Sequence, residues 1–377
     1  VPSQGLKVER AGESGPRLLF IEPYANASHQ ALARGLMRHA PARWTLLLLP
    51  GRHFRWRMRG AAAFLAEAAA GLLAEPWDGL VCSGMLNLAE LKGLAPGLAR
   101  VPALAYFHES QLAYPAAGAA GRQQAERDLY LAFSNLTTAA ASRLAVFNSR
   151  FHRDGFLAAA AELVARLPDA RPSGLAAGMA AKARVLAVPM DPGEAQGLER
   201  PPRNGPLRIL WNHRWAQDKA PEEFFAALRE LRARGREFQL AVLGLSSGRP
   251  PEAFARARES LAGRVARWGG AEDRREYWRW LFWADVAVST ARQEYQGLAL
   301  AEAAWAGCRV LAPEALVYPE LYPPEMLYPP GRLAAALEPL AARPELARRP
   351  GPAPAAAALT WERLGPAWRG LMEELVS

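Results

Sequence analysis

DPGEAQGLERPPRNGP, residues 191–206, runs directly into LRILW (207–211) and then NHRWAQDK (212–219). The first block is proline, glycine and charge with no hydrophobic period, the composition of a linker. The second is a run of bulky apolar residues stopped by polar ones, the pattern of a strand covered on both faces. A strand starting afresh behind a linker, midway along 377 residues, divides the chain in two. That division suits the length, which exceeds one ordinary core.

Strand-like runs on the N-terminal side fall at residues 17–23, 44–49, 79–82, 103–107, 143–147 and 185–188. Residues 28–39 have helical spacing between them, and 60–74 read as an alanine-rich helix. On the C-terminal side the runs are 207–211, 239–243, 284–289 and 308–311, with helices over 221–234 and 297–306. Strands alternating with helices predict an α/β protein of two Rossmann-like domains, their parallel sheets facing a central cleft. The expected division is a loosely attached or disordered N-terminus (1–16), a first domain (17–190), the linker (191–206) and a second domain (207–377). An amphipathic last helix over 361–376 is placed to cross back to the first half.

The net charge of +9 and pI near 9.9 suit polyanionic partners, although a positive field is also an ordinary solubility device. Cys82 and Cys308 form no metal-spaced cluster, so a reduced compartment and a metal-free protein are expected. The polar start lacks the apolar core of a signal peptide, and no apolar run reaches the ~18 residues of a spanning helix. A cytoplasmic location is the expectation.

Ligands of doubly wound sheets lie beyond the carboxyl ends of the strands. Residues following those ends are Glu22, Tyr24, Asn26, Ser28 and His29; His108, Glu109, Ser110, Gln111 and Tyr114; Asn148 and Ser149. In the second half they are Asn212, His213, Arg214 and Lys219, then Glu294, Gly297 and Glu302. Arg214 offers a rigid fork and Lys219 a mobile point charge, which together suit a diphosphate. A surface ion pair of Lys219 with Asp218 is the plainer alternative. Gly297 opens a helix, lets backbone approach an anion and leaves Glu302 about one turn further on. Against this, Glu294 could simply cap the helix and Glu302 pair with an arginine. His108 reads as a site edge or as a satisfied core histidine. Arg55, Trp56 and Arg57, in FRWRMR (54–59), read as a base-stacking, phosphate-binding segment or as a basic loop at a domain rim.

EYQGLALAE (294–302), with Arg214 and Lys219 upstream, resembles the E-x7-E element of retaining GT-B glycosyltransferases. EPYANASH (22–29), LLPGRHFRWRMR (48–59), MLNLAEL (85–91), YFHESQLAYP (106–115), VFNSRFHRDGFL (146–157) and LPDARP (167–172) resemble the tRNA-queuosine alpha-mannosyltransferase family more narrowly. So do WNHRWAQDKAPEEFF (211–225), EYQGLALAEAAWAGC (294–308) and LVYPELYP (316–323). Three positions depart from that family: Asn26-Ala27 stand where paired glycines are usual, and Ser110 where asparagine is usual. The resemblance implies a GT-B fold and a retaining, metal-independent, cofactor-free transfer from GDP-mannose to the cyclopentenediol of queuosine in tRNA-Asp. It implies that Arg214 and Lys219 hold the diphosphate, with Gly297 and Leu298 at the donor. It further implies that Glu294 contacts sugar hydroxyls, Glu302 the ribose, and His108 the transferred sugar from the opposite domain. The acceptor side would draw on Glu22, Asn26, Ser28, His29, Arg55, Trp56, Arg57, Glu109, Gln111 and Asn148. Two other readings fit the same residues. One is a GT-B enzyme using another nucleotide sugar or a lipid or polysaccharide acceptor; the alanine-rich, nearly uncharged 60–74 argues against a lipid surface. The other is a non-catalytic RNA-binding protein of the same fold.

Overall fold

The computed structural model describes residues 5–112, 122–246, 248–348 and 354–377. Positions 113–115 of the YFHESQLAYP motif, Tyr114 included, lie outside the described residues. Two compact units divide the chain: Val1–Pro189 with Leu364–Ser377, and Met190–Arg363.

The first unit holds strands β1 (Lys7–Ala11), β2 (Arg17–Ala25), β3 (Arg43–Pro50), β4 (Gly79–Ser83), β5 (Ala103–Phe107), β6 (Leu144–Phe147) and β7 (Ala183–Val185). They lie in the order β1-β3-β2-β4-β5-β6-β7, all parallel except β1. Consecutive residues Leu18 to Ile21 are fully buried, which requires cover on both faces and explains their unbroken apolar run. Each such side chain contributes about 1.5–3 kcal/mol. The order reverses between β2 and β4, so their carboxyl ends define the switch point of this sheet.

The second unit holds β8 (Leu207–Asn212), β9 (Phe238–Leu243), β10 (Val265–Gly269), β11 (Val286–Val288), β12 (Arg309–Pro313) and β13 (Leu327–Tyr328). Their order, β10-β9-β8-β11-β12-β13, is that of a dinucleotide-binding Rossmann sheet, with its switch point between β8 and β11.

Four expectations are corrected. The N-terminus is not loose through residue 16: Lys7–Ala11 pairs antiparallel with β3, and Glu9 is bonded to Arg34 at 2.8 and 3.2 Å. Residues 191–206 are not a free linker. Met190 and Ala195 enter the core of the second unit, and Arg203 donates to the carbonyl of Gly307 at 2.7 Å. The strand expected at 185–188 is Ala183–Val185. The helix expected from residue 60 starts at Phe54, so FRWRMR is its first turns and not a loop.

The last helix, Trp361–Val376, contributes residues 364–376 to the first unit. Trp368 is fully buried there, its ring 5.4 Å from that of Tyr106 and its Nε1 donating to Ala187 at 3.1 Å.

Candidate active site

Beyond β8, residues 217–219 form a single 3-10 turn, and Ala220 takes a left-handed conformation (φ 43°) before the helix opened by Pro221. The loop is pinned to the one beyond β11: Thr290 Oγ1 donates to the Lys219 carbonyl at 2.7 Å, and Arg292 N to the Asp218 carbonyl at 2.8 Å. The switch point thus brings together residues that are 75 positions apart. Lys219 Nζ donates to the Gln293 carbonyl at 2.8 Å and to Glu294 Oε2 at 3.1 Å, and lies 3.5 Å from Asp218. Burial opposes the Lys219 charge, but the Glu294 and Asp218 carboxylates outweigh it and raise its pKa. Burial likewise opposes the Glu294 charge. Lys219 and the Gly297 amide overcome that effect and hold the carboxyl down at about 2. His213, beside them, is pushed down to about 4, first by burial and then by the Lys219 charge.

Gly297 is left-handed (φ 71°) immediately before the helix Leu298–Trp305. Glu294 Oε1 accepts from the amides of Tyr295 and Gln296 at 3.1 and 3.3 Å. The carboxylate therefore closes the turn into that helix as well as pairing with Lys219. One turn along, Glu302 accepts from Arg274 at 2.7 Å through one oxygen and from the Tyr277 hydroxyl at 2.7 Å through the other. Asn212 completes this group, donating to Tyr277 at 3.1 Å and to the Ala299 carbonyl at 2.9 Å. Each Glu302 oxygen keeps a lone pair for a further donor. Arg214 is more than half exposed and meets Asp218 only at 3.4 Å, so its guanidinium is available to a ligand at little cost.

A second cluster stands at the switch point of the first unit. Glu22, fully buried at the end of β2, accepts from Ser83 at 3.0 Å and from the Tyr24 amide at 2.8 Å. Its other oxygen lies 3.1 Å from His29 Nδ1. The His29 ring stacks on His108 at 3.9 Å, tilted by only 11°. Burial lowers the His29 pKa, but Glu22 more than reverses this, and the net shift is upward. Burial, the charge of His29 and that of His152 hold His108 well below the usual imidazole range. The geometry is thus a histidine held against a carboxylate, with a second imidazole stacked on it. His108 Nε2 is buried without a hydrogen-bond partner among the described residues. The donor atoms of Glu22, His29 and His108 gather closely enough for a metal. An ion between two parallel rings, however, would lie out of the plane of both nitrogen lone pairs, so this arrangement does not fit one.

Asn26 and Asn148, also expected on the acceptor side, make hydrogen bonds within the fold. Asn26 caps the helix Ala27–His39, accepting from the His29 amide at 3.0 Å and from Ser28 Oγ at 2.9 Å. Asn148 donates to the His108 carbonyl at 2.9 Å and meets His152 Nδ1 at 2.9 Å, so it helps to position the His108 loop. Arg57 turns inward, its Nε buried, while Arg55 and Trp56 are exposed. Glu109 and Gln111 stay half-buried beside His108. Asn212 was expected among the residues beyond β8, whereas Arg274 and Tyr277 were not singled out. The signal was an i, i+3 pair behind an Asp273 cap, legible only once Glu302 is known to face it.

Two Rossmann-like units, each with polar residues gathered at its switch point, are the architecture of the GT-B fold class. Solved structures of that kind align over nearly the whole chain. Sucrose-phosphate synthase from Thermosynechococcus elongatus covers 96% of this chain and 99% of its own, with a TM-score of 0.62 and 16% identity. HepE from Anabaena in complex with UDP-glucose matches with a TM-score of 0.63 over 96% and 99%, at 14% identity. The model of the tRNA-queuosine alpha-mannosyltransferase N-terminal region matches residues 17–190. The Drosophila melanogaster tRNA-queuosine alpha-mannosyltransferase is 33% identical over 329 residues, covering 82% of each chain. The chain belongs to the tRNA-queuosine alpha-mannosyltransferase family.

Proposed function

We propose that this protein transfers mannose from GDP-mannose, with retention, to the cyclopentenediol of queuosine in the anticodon loop of tRNA-Asp. The carrying observation is the part-buried Lys219–Glu294 pair beside Gly297, at the switch point of a Rossmann sheet. The diphosphate binds there, in contact with Lys219 and Arg214 and near the amides that open the helix at Leu298. The sugar C1–oxygen bond breaks as the acceptor hydroxyl bonds to C1, and the acceptor proton passes to the departing phosphate oxygen. Lys219 and Arg214 stabilise the negative charge that develops on GDP, the contribution expected to dominate. Glu294 orients the sugar hydroxyls and Glu302 the ribose. His108, held neutral, offers its ring to the transferred sugar. No step calls for a metal. Among the described residues no helix is long and apolar enough to cross a membrane, and a tRNA acceptor suits a cytoplasmic protein of strongly positive charge.

Thermal unfolding with a panel of nucleotide sugars tests the donor, because a ligand specific for the native state raises the melting temperature. GDP-mannose is expected to protect most. Stronger protection by a UDP sugar would overturn the donor assignment, and RNA binding without protection by any nucleotide would favour a non-catalytic protein.

A further inference from the structure

The helix Phe54–Ala68 presents an outward face that neither cluster uses. From Arg52 to Arg59 there are four arginines and no carboxylate, the next acidic residue being Glu67. Trp56 stands among them with 64% of its surface exposed. The apolar side of the same helix, Met58, Ala61, Ala62 and Leu65, is already buried, so the indole adds little to the core. The ring is nevertheless seated. A Cβ at Gly60 would lie 2.9, 3.1 and 3.1 Å from three of its atoms, as when a ring rests face-on. Glycine weakens a helix relative to alanine, and here it makes room for one face of the indole. Phe54 and Tyr130 pack with Met58, Met85, Leu131 and Tyr24, and Tyr24 meets His29 edge-on at 6.1 Å. The inward side of the helix is thereby packed towards the histidine cluster of its own unit.

We propose that Trp56, seated on Gly60 and flanked by Arg52, Arg55 and Arg59, is a stacking platform for an unpaired base of the acceptor RNA. The arginines bind the neighbouring phosphates. The proposal rests on the tRNA reading above. Aromatic rings among arginines take single-stranded bases through a π-face and the backbone through charge. An anionic membrane fits less well, because only one indole is left to insert.

The test is fluorescence anisotropy with an anticodon stem–loop RNA lacking queuosine, at two salt concentrations and without donor. Trp56→Ala is expected to weaken binding about tenfold while keeping the wild-type melting temperature. Gly60→Ala, which favours the helix but lifts the indole from its seat, is expected to weaken binding about threefold without lowering the melting temperature. Replacing Arg55 and Arg59 together by alanine should flatten the salt dependence. Wild-type RNA affinity in both Trp56→Ala and Gly60→Ala would overturn the platform. So would loss of binding to phosphatidylserine vesicles with RNA affinity intact. Neither queuosine nor GDP-mannose is present, so that failure is separable from an absence of transfer, which would leave the platform standing.

Discussion

Burial works against the Lys219 charge, but Glu294 and Asp218 beside it more than reverse that and raise its pKa. In the ligand-free protein the ammonium is therefore fixed in place and matched by carboxylate charge. A diphosphate adds acceptors to a donor that is already oriented. Lys219→Ala is expected to weaken GDP binding by about 1.5–3 kcal/mol, the range of a charge-assisted hydrogen bond. Calorimetry checks this, and unchanged affinity would remove Lys219 from the diphosphate site. The same substitution strips Glu294 of its main charge partner, so the carboxyl should titrate above its present value of about 2. Lys219 and Glu294 could each be picked out as polar residues following strands. Their pairing could not, because 75 residues separate them and only the adjacency of β8 and β11 joins them.

The loop after β8 depends on a glycine in β9's exit. Gly244 has φ 131°, and a Cβ there would fall 2.0 Å from the His213 carbonyl oxygen. Gly244→Ala is expected to destabilise the protein by roughly 1–3 kcal/mol, measured by urea unfolding, because neither the backbone conformation nor the contact can be kept. The most legible elements were strands covered on both faces. Runs such as Leu18 to Ile21 and Leu46 to Leu49 are apolar throughout because both sides of the sheet need them buried. Three strands left no such trace. β1 is an antiparallel edge with three of its five residues exposed, β10 is an edge exposed at Ala266, and β13 has two residues. Their place is set chiefly by backbone pairing, which any side chain allows. The supposed linker was misread for a related reason. Arg203 is anchored on the carbonyls of Phe282, Ala306 and Gly307, and a backbone acceptor has no residue type.

Acid sensitivity belongs to the whole molecule. His152 and His213 are held down to about 3 and about 4, each chiefly by burial, and His108 lies well below the usual range. The unfolded chain binds protons at these groups first. The stability from keeping them neutral is complete above about pH 6.5 and lost as pH falls towards 3–4. Glu294 acts in the same direction at lower pH, its contribution disappearing from about 4.5 down to about 2. His29 acts oppositely, because Glu22 raises its pKa: its contribution is present below 6.5 and lost as pH rises through the raised value. Three lowered histidines against one raised predict a melting temperature that falls steadily from pH 7 to pH 4. A melting temperature flat across that range would contradict this balance. The central claim concerns transfer itself, and its most direct measurement is made on the nucleoside. After incubation with GDP-mannose and queuosine-containing tRNA-Asp, the tRNA is digested and its queuosine weighed by mass spectrometry. The account predicts the mass increment of one hexose on queuosine, lost with Lys219→Ala. Queuosine of unchanged mass in the presence of active donor would contradict it.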